Sequence, residues 1–229
     1  MAELAQGAGT PPPGLDVVHA DAHLIVLNKP ANLLSVPGKG PDKSDCLSAR
    51  AQAIWPDALT VHRLDMATSG LLVMARGAQA QRTLSMALAQ RLTHKQYEAV
   101  AAGCLHENPL QTDAAGWQHI DLPLTVDWPN RPRSKVCHER GKPSLTRWRS
   151  LGVDPAHQFT RVLLEPVTGR THQLRVHLMA LGHPILGDAL YASGQALQAA
   201  PRLLLHATRL ALPHPDTGTL CEWHSPAPF

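Results

Sequence analysis

Apolar residues in this chain come in short, β-rich runs, and only two long stretches space them as a helix would. This pattern limits the fold more than any other feature of the sequence. Residues 23–27 (HLIVL) form a strand that leaves through Lys29-Pro30. Residues 71–74, 97–101, 160–164 and 203–205 are further strand segments. Gly77 opens a helix with Ala80, Leu84, Ala87, Leu88 and Leu92 on one face. A second helix covers 171–181, with Gly182 as its C-cap and Pro184 blocking continuation. Ser44 and Asp45 can cap a shorter helix that runs through Ala53 and ends near Pro56. Strands and helices do not alternate as strict βαβ units, and several strand pairs can be antiparallel. The class is α+β.

The 229 residues, 44% hydrophobic and 17% charged, are enough for a globular core. Residues 1–14 (MAELAQGAGTPPPG) read as a flexible tail. With no internal repeat and no second low-complexity linker, 15–229 is expected to be a single domain. The formal charge of +3 permits an acidic partner without demanding one. The four cysteines, Cys46, Cys104, Cys137 and Cys221, are scattered with no C-x-x-C pair, as reduced thiols in a cytosolic protein are. The first residues hold no signal peptide, and no run approaches the roughly 18 apolar residues of a membrane helix. A soluble, cytoplasmic chain is the expectation, with no membrane partner; no heptad marks an oligomer, so a monomer is expected.

Several chemistries are excluded by their missing motifs. There is no G-x-S-x-G, P-loop or G-x-G-x-x-G. Fourteen histidines invite a metal, yet His172 and His177 are five apart and point to different sides of a helix, and no H-E-x-x-H exists. Four segments remain. In residues 61–70 (VHRLDMATSG), Arg63 and Asp65 project to the same side if extended. A guanidinium beside a carboxylate favours its ionised form, which a nucleophile or base needs; the alternative is an ion pair ordering a turn. In residues 168–177 (TGRTHQLRVH), Thr168 or Thr171 can cap the helix, and Arg170 beside its N-terminus suits an anion, either a phosphate or the Asp65 carboxylate. Tyr97, in Lys95-Gln96-Tyr97, can stack on a base or serve the core. Arg131, Arg133 and Lys135, followed by Arg140, Lys142, Arg147 and Arg149, form a phosphate track or a solvated loop. Glycoside hydrolysis usually takes two carboxylates. One carboxylate with arginines fits a glycosidic bond broken without net hydrolysis.

Together these segments are specific where each alone is not. H-R-L-D-x-x-T-S-G, then K-x-Y, then G-R-T-H-Q-L-R-V-H with G-H-P-I-L-G-D, in that order, resemble the RluA family of pseudouridine synthases over nearly the whole chain. Residues 33–38 (LLSVPG), 127–132 (DWPNRP), 135–137 (KVC) and 202–207 (RLLLHA) add to the likeness. The resemblance implies a mixed, largely antiparallel central sheet with flanking helices and a central active-site cleft. It implies conversion of uridine to pseudouridine without cofactor or metal. Asp65 matches the essential aspartate, Arg63 the arginine filling the space of the flipped base, Tyr97 the tyrosine that stacks on the target base, and Arg170 the basic partner of the carboxylate. The implied partners are RNA stem-loops: a large-subunit (23S) ribosomal RNA hairpin and the tRNA anticodon arm. The competing readings are a non-catalytic RNA-binding factor on the same scaffold and a nucleoside hydrolase, which would release free uracil.

Overall fold

A computed structural model of the chain describes residues 15–40 and 43–229, so the tail 1–14 lies outside the described residues. The chain divides into two compact units: one runs up to His94 and takes back Arg209–Pro226, the other holds Lys95–Thr208 and Ala227–Phe229. The ladders described below are antiparallel, and Leu34 and Cys46 form an isolated parallel bridge.

In the first unit, β2 (Leu24–Lys29) lies between β1 (Asp16–Ala20) and β4 (Ser69–Arg76). The β2–β4 register runs from Leu24 opposite Ala75 to Lys29 opposite Gly70. β3 (Ala58–Thr60) pairs with the far end of β4. Side chains alternate across a sheet, so Leu24 and Val26 of β2 share a face with Leu71, Val73 and Ala75 of β4. Onto that face α2 (Gly77–Ala89) lays Ala80 and Leu84. Leu210 and Leu212 of β11 (Leu205–Pro213) complete the cluster. β12 (Leu220–His224) pairs with the Arg209–Pro213 half of β11 and packs Trp223 against it. The helical face is shorter than its spacing predicted: Ala87 is buried and Leu88 half-buried, but Leu92 lies past the helix end and is half exposed. Arg91, at φ 59°, has already turned the chain.

The predicted cap of α1 (Leu47–Gln52) is also corrected. Neither Ser44 nor Asp45 caps it; Cys46 does, its Sγ accepting from the Ala49 N–H at 3.4 Å. Cys46 is fully buried, where a carboxylate would be costly to desolvate. Asp45 instead takes a two-pronged ion pair from Arg50, at 2.8 and 2.7 Å.

The second unit orders β5 (His94–Ala102), β10 (Phe159–Pro166), β9 (Leu145–Asp154) and β6 (Gln118–Asp121) as neighbours. A separate hairpin joins β7 (Leu124–Val126) to β8 (Ser134–Val136). α3 (Gln173–Ala180) is buried from Gln173 through Leu178, so it runs through the unit rather than over it. Its Val176 meets Leu124 of β7 and Tyr191. α4 (Gly194–Gln198) follows. Of the predicted strand 203–205, only Leu205 enters β11; Leu204 bonds outside it, accepting from the Val100 N–H and donating to the Leu186 carbonyl. The fold is α+β, few helices against a mixed sheet. Among the described residues no helix is long and apolar enough to cross a membrane.

Candidate active site

In the first unit the loop from β3 to β4 carries Arg63 and Asp65. Within it Leu64 is buried, Arg63 is exposed and Asp65 half-buried. Burial thus alternates over Arg63, Leu64 and Asp65. Both residues flanking Asp65 are tied down through their backbones. The Ser35 hydroxyl donates to the Leu64 carbonyl at 2.7 Å and accepts from the Leu64 N–H at 3.1 Å. The Met66 carbonyl accepts from Lys29 Nζ at 3.0 Å. A turn closes the loop, with the Thr68 N–H donating to the Asp65 carbonyl at 3.1 Å. His62 is fixed as well, its Nε2 accepting from the Val73 N–H at 3.1 Å.

Lys29 was read from sequence only as a strand exit. It is wholly buried, and its other two N–H groups donate to the carbonyls of Pro30 and Leu33, each at 2.8 Å. Burial lowers its pKa from the usual 10.5 to about 8, and the charge of Asp65 opposes that shift. A buried cation thus sits within electrostatic reach of the half-buried carboxylate and holds the next peptide of its loop.

In the second unit Tyr97 is buried on β5, opposite Leu164 of β10. Two residues earlier Lys95 is also desolvated, which lowers the pKa of its amine. Arg170 is exposed, its Nε pointing at the Pro143 carbonyl at 3.4 Å. The helix start differs from the predicted Thr168 or Thr171 cap. His172 takes the N-cap position in a left-handed conformation, φ 56°, with no side-chain cap bond. Gln173 does the ordering instead. Its Oε1 accepts from the Thr168 hydroxyl at 2.7 Å and the Arg170 N–H at 3.1 Å, and its Nε2 donates to the Leu145 carbonyl at 2.9 Å.

Sequence reasoning singled out Arg170 and passed over Arg175. Arg175 is buried and clasps Asp188 with Nε and Nη2 at 2.8 and 2.7 Å. Asp188 also accepts from the N–H groups of Leu190 and Tyr191. Its one sequence signal was G-H-P-I-L-G-D, which reads as a turn. The Tyr191 hydroxyl accepts from the Ser134 N–H and shares a hydrogen bond with His172 Nδ1, each at 2.7 Å, and its ring lies 5.1 Å from the Arg175 guanidinium and 5.3 Å from that of Arg133. His177 is buried between the Thr146 hydroxyl and the Leu122 carbonyl, and burial lowers its pKa. The basic track is uneven. Arg131 and Lys135 are exposed on the β7–β8 hairpin and Arg133 is half-buried. Arg147 pairs with Glu165, and Arg147 and Arg149 both lie over Trp117.

The family described as RNA pseudouridylate synthase matches residues 23–180, which contain the Asp65 loop, Tyr97, Arg170 and Arg175. The chain belongs to the pseudouridine synthases. This synthase is 48% identical over 217 residues to the dual-specificity RNA pseudouridine synthase RluA of Escherichia coli K12, covering 95% of each chain. The RluA of Pasteurella multocida is 46% identical over 222 residues, covering 96% of this chain and 97% of its own. Among solved structures, human RNA pseudouridylate synthase domain containing 1 superposes with a TM-score of 0.77 at 29% identity, over 98% of this chain and 87% of the other. The chain is an RNA pseudouridine synthase, an isomerase that changes the atom through which uracil is joined to ribose.

Proposed function

We propose that the enzyme isomerises uridines in structured RNA with Asp65 as its catalytic carboxylate. The observation that carries this is the clamping of Asp65 on both sides, Leu64 by Ser35 and Met66 by Lys29. A positioned carboxylate gains its rate from geometry paid for in folding. The target uridine must leave the stack first, at a cost of a few kcal/mol that is least in a loop. Arg63, exposed two residues before Asp65, fills the space the base vacates. Asp65 then promotes cleavage of the N1–C1′ bond, by attack at C1′ or by removal of the 2′ proton. The uracil turns and rejoins through C5, whose proton leaves. Tyr97 stacks on the base and its hydroxyl relays that proton. Arg170, exposed, engages an anion: the carboxylate or an RNA phosphate. None of these steps uses a cofactor or metal.

The name of the RluA relatives states dual specificity. On that ground the substrates are a 23S ribosomal RNA hairpin and a tRNA anticodon stem-loop. Residues 15–229 act as one catalytic domain, monomeric and cytoplasmic; four free cysteines suit a reducing compartment. The test is tritium release from both RNAs labelled at uridine C5, with wild type beside Asp65→Ala. Wild type releases tritium; Asp65→Ala releases none and binds RNA within about threefold. Pseudouridine formed by Asp65→Ala would remove Asp65 from its role.

A further inference from the structure

The β7–β8 hairpin carries an aromatic group that the catalytic chemistry does not use. Trp128 is 66% exposed, unusual for the largest side chain a protein can bury. It stands on a fixed support. It begins the 3-10 turn Trp128–Asn130, which is closed by the Asn130 N–H on the Asp127 carbonyl (3.0 Å) and the Asp127 N–H on the Arg133 carbonyl (2.9 Å). The Asp127 side chain accepts from Asn130 Nδ2 at 2.9 Å and meets Lys135 Nζ at 3.1 Å. The Tyr191 hydroxyl anchors the base of the hairpin through the Ser134 N–H. The Arg131 guanidinium lies over the Trp128 ring, 4.2 Å from its centroid.

We propose that Trp128, backed by Arg131, is a stacking platform for an unpaired base of the RNA substrate. Three features select this partner. The indole offers a broad π surface, on which bases stack without regard to identity. The guanidinium supplies a second flat group that stacks on bases and attracts phosphate. The hairpin itself carries Arg131, Arg133 and Lys135, and Arg140 and Lys142 follow in the sequence, against Asp127 and Glu139 over the same stretch; Asp127 is already engaged with Lys135. Such a surface repels a basic protein and attracts a polyanion, and pairs the aromatic with the charge a single-stranded nucleotide presents. The platform gives a loop nucleotide flanking the target a place to go once the stem-loop is distorted, and so adds affinity rather than chemistry. The inference rests on the RNA-modifying reading above.

The test uses the full chain with Trp128→Ala, Trp128→Phe and Arg131→Ala, each melted to confirm folding. Affinity is read with fluorescein-labelled anticodon stem-loop and ribosomal hairpin, and chemistry by single-turnover tritium release at saturating enzyme. Trp128→Ala should weaken binding of at least one RNA about tenfold, leaving the saturated rate within twofold of wild type; Trp128→Phe should stay within about threefold of wild-type affinity. Unchanged affinity for both RNAs in Trp128→Ala overturns the platform. Equal loss in the Phe and Ala variants also overturns it, since a stacked ring would be rescued. Failure of wild type to release tritium from any RNA would instead refute the catalytic reading, while the affinity comparison would still decide the platform.

Discussion

Lys29 holds its ammonium where no water reaches and three carbonyls converge. Two consequences oppose each other in Lys29→Met. Removing a buried cation relieves desolvation, while three carbonyls lose their donor, at about 1–3 kcal/mol for a buried group left unsatisfied. A net destabilisation of about 2 kcal/mol by denaturant unfolding is expected. The loop beyond Asp65 is also released, so kcat should fall about tenfold or more with a smaller change in KM; equal kcat would detach Lys29 from the site. The pH dependence has a definite sign. The folded pKa, about 8, lies below the ordinary 10.5. Below pH 8 both folded and unfolded chains hold the proton and the burial penalty is present in full. Between about pH 8 and 10.5 the unfolded chain holds more protons, so stability rises with pH, by up to about 3 kcal/mol at 1.36 kcal/mol per pKa unit. Turnover should move the other way, because a neutral amine has two N–H donors for three carbonyls. Unfolding free energy at pH 7.5 and 10, measured for wild type and Lys29→Met, isolates the contribution of this amine: wild type gains relative to the variant.

The elements show where sequence signals gave out. Strand periodicity and the α2 face were legible because they are local patterns of apolar spacing. The cap of α1 was not, because Ser44 and Asp45 are the stronger capping types and burial, invisible in the sequence, selected Cys46. Cys46→Ala should cost about 1 kcal/mol, read as a fall in melting temperature, while Asp45→Ala removes only a surface pair and should cost less than half of that. The start of α3 was misread for a related reason: Gln173, a poor capping type, satisfies Thr168, Arg170 and Leu145 through a buried amide. The largest hidden contact fixes the far side of that helix. Asp188→Ala leaves the Arg175 guanidinium buried without its carboxylate, and about 3–5 kcal/mol of stability should go with it. Replacing both with apolar residues should cost less than the single change; a double variant as unstable as Asp188→Ala would show that packing, not the charge, carries the effect.

Across the whole molecule, what the sequence displayed best was chemistry confined to consecutive residues. H-R-L-D and G-R-T-H-Q-L-R announced the family because each motif sits in one loop or one helix start. What it could not display were partners far along the chain, Ser35 with Leu64, Lys29 with Met66, Arg175 with Asp188, which only the fold brings together. The charge is another whole-chain property that misleads when summed: a net +3 says little, whereas its placement distinguishes residues that look alike in the sequence. Arg131 is exposed at the hairpin tip, Lys135 is exposed but shares Asp127, and Arg133 is half-buried against Tyr191. If the hairpin meets RNA phosphates, these three arrangements give three salt responses. Each phosphate contact contributes about 0.7 to 0.9 to the slope of log affinity against log salt. Arg131→Ala should therefore lower the slope by about that amount. Lys135→Ala should lower it by less, because the freed Asp127 carboxylate replaces a cation already partly neutralised. Arg133→Ala should change the slope least and the melting temperature most, since its guanidinium rests on the ring whose hydroxyl holds Ser134 and His172. Titrating a stem-loop with each variant from 50 to about 300 mM salt reads all three. Slopes equal to wild type for both Arg131→Ala and Lys135→Ala would place the hairpin outside the RNA footprint.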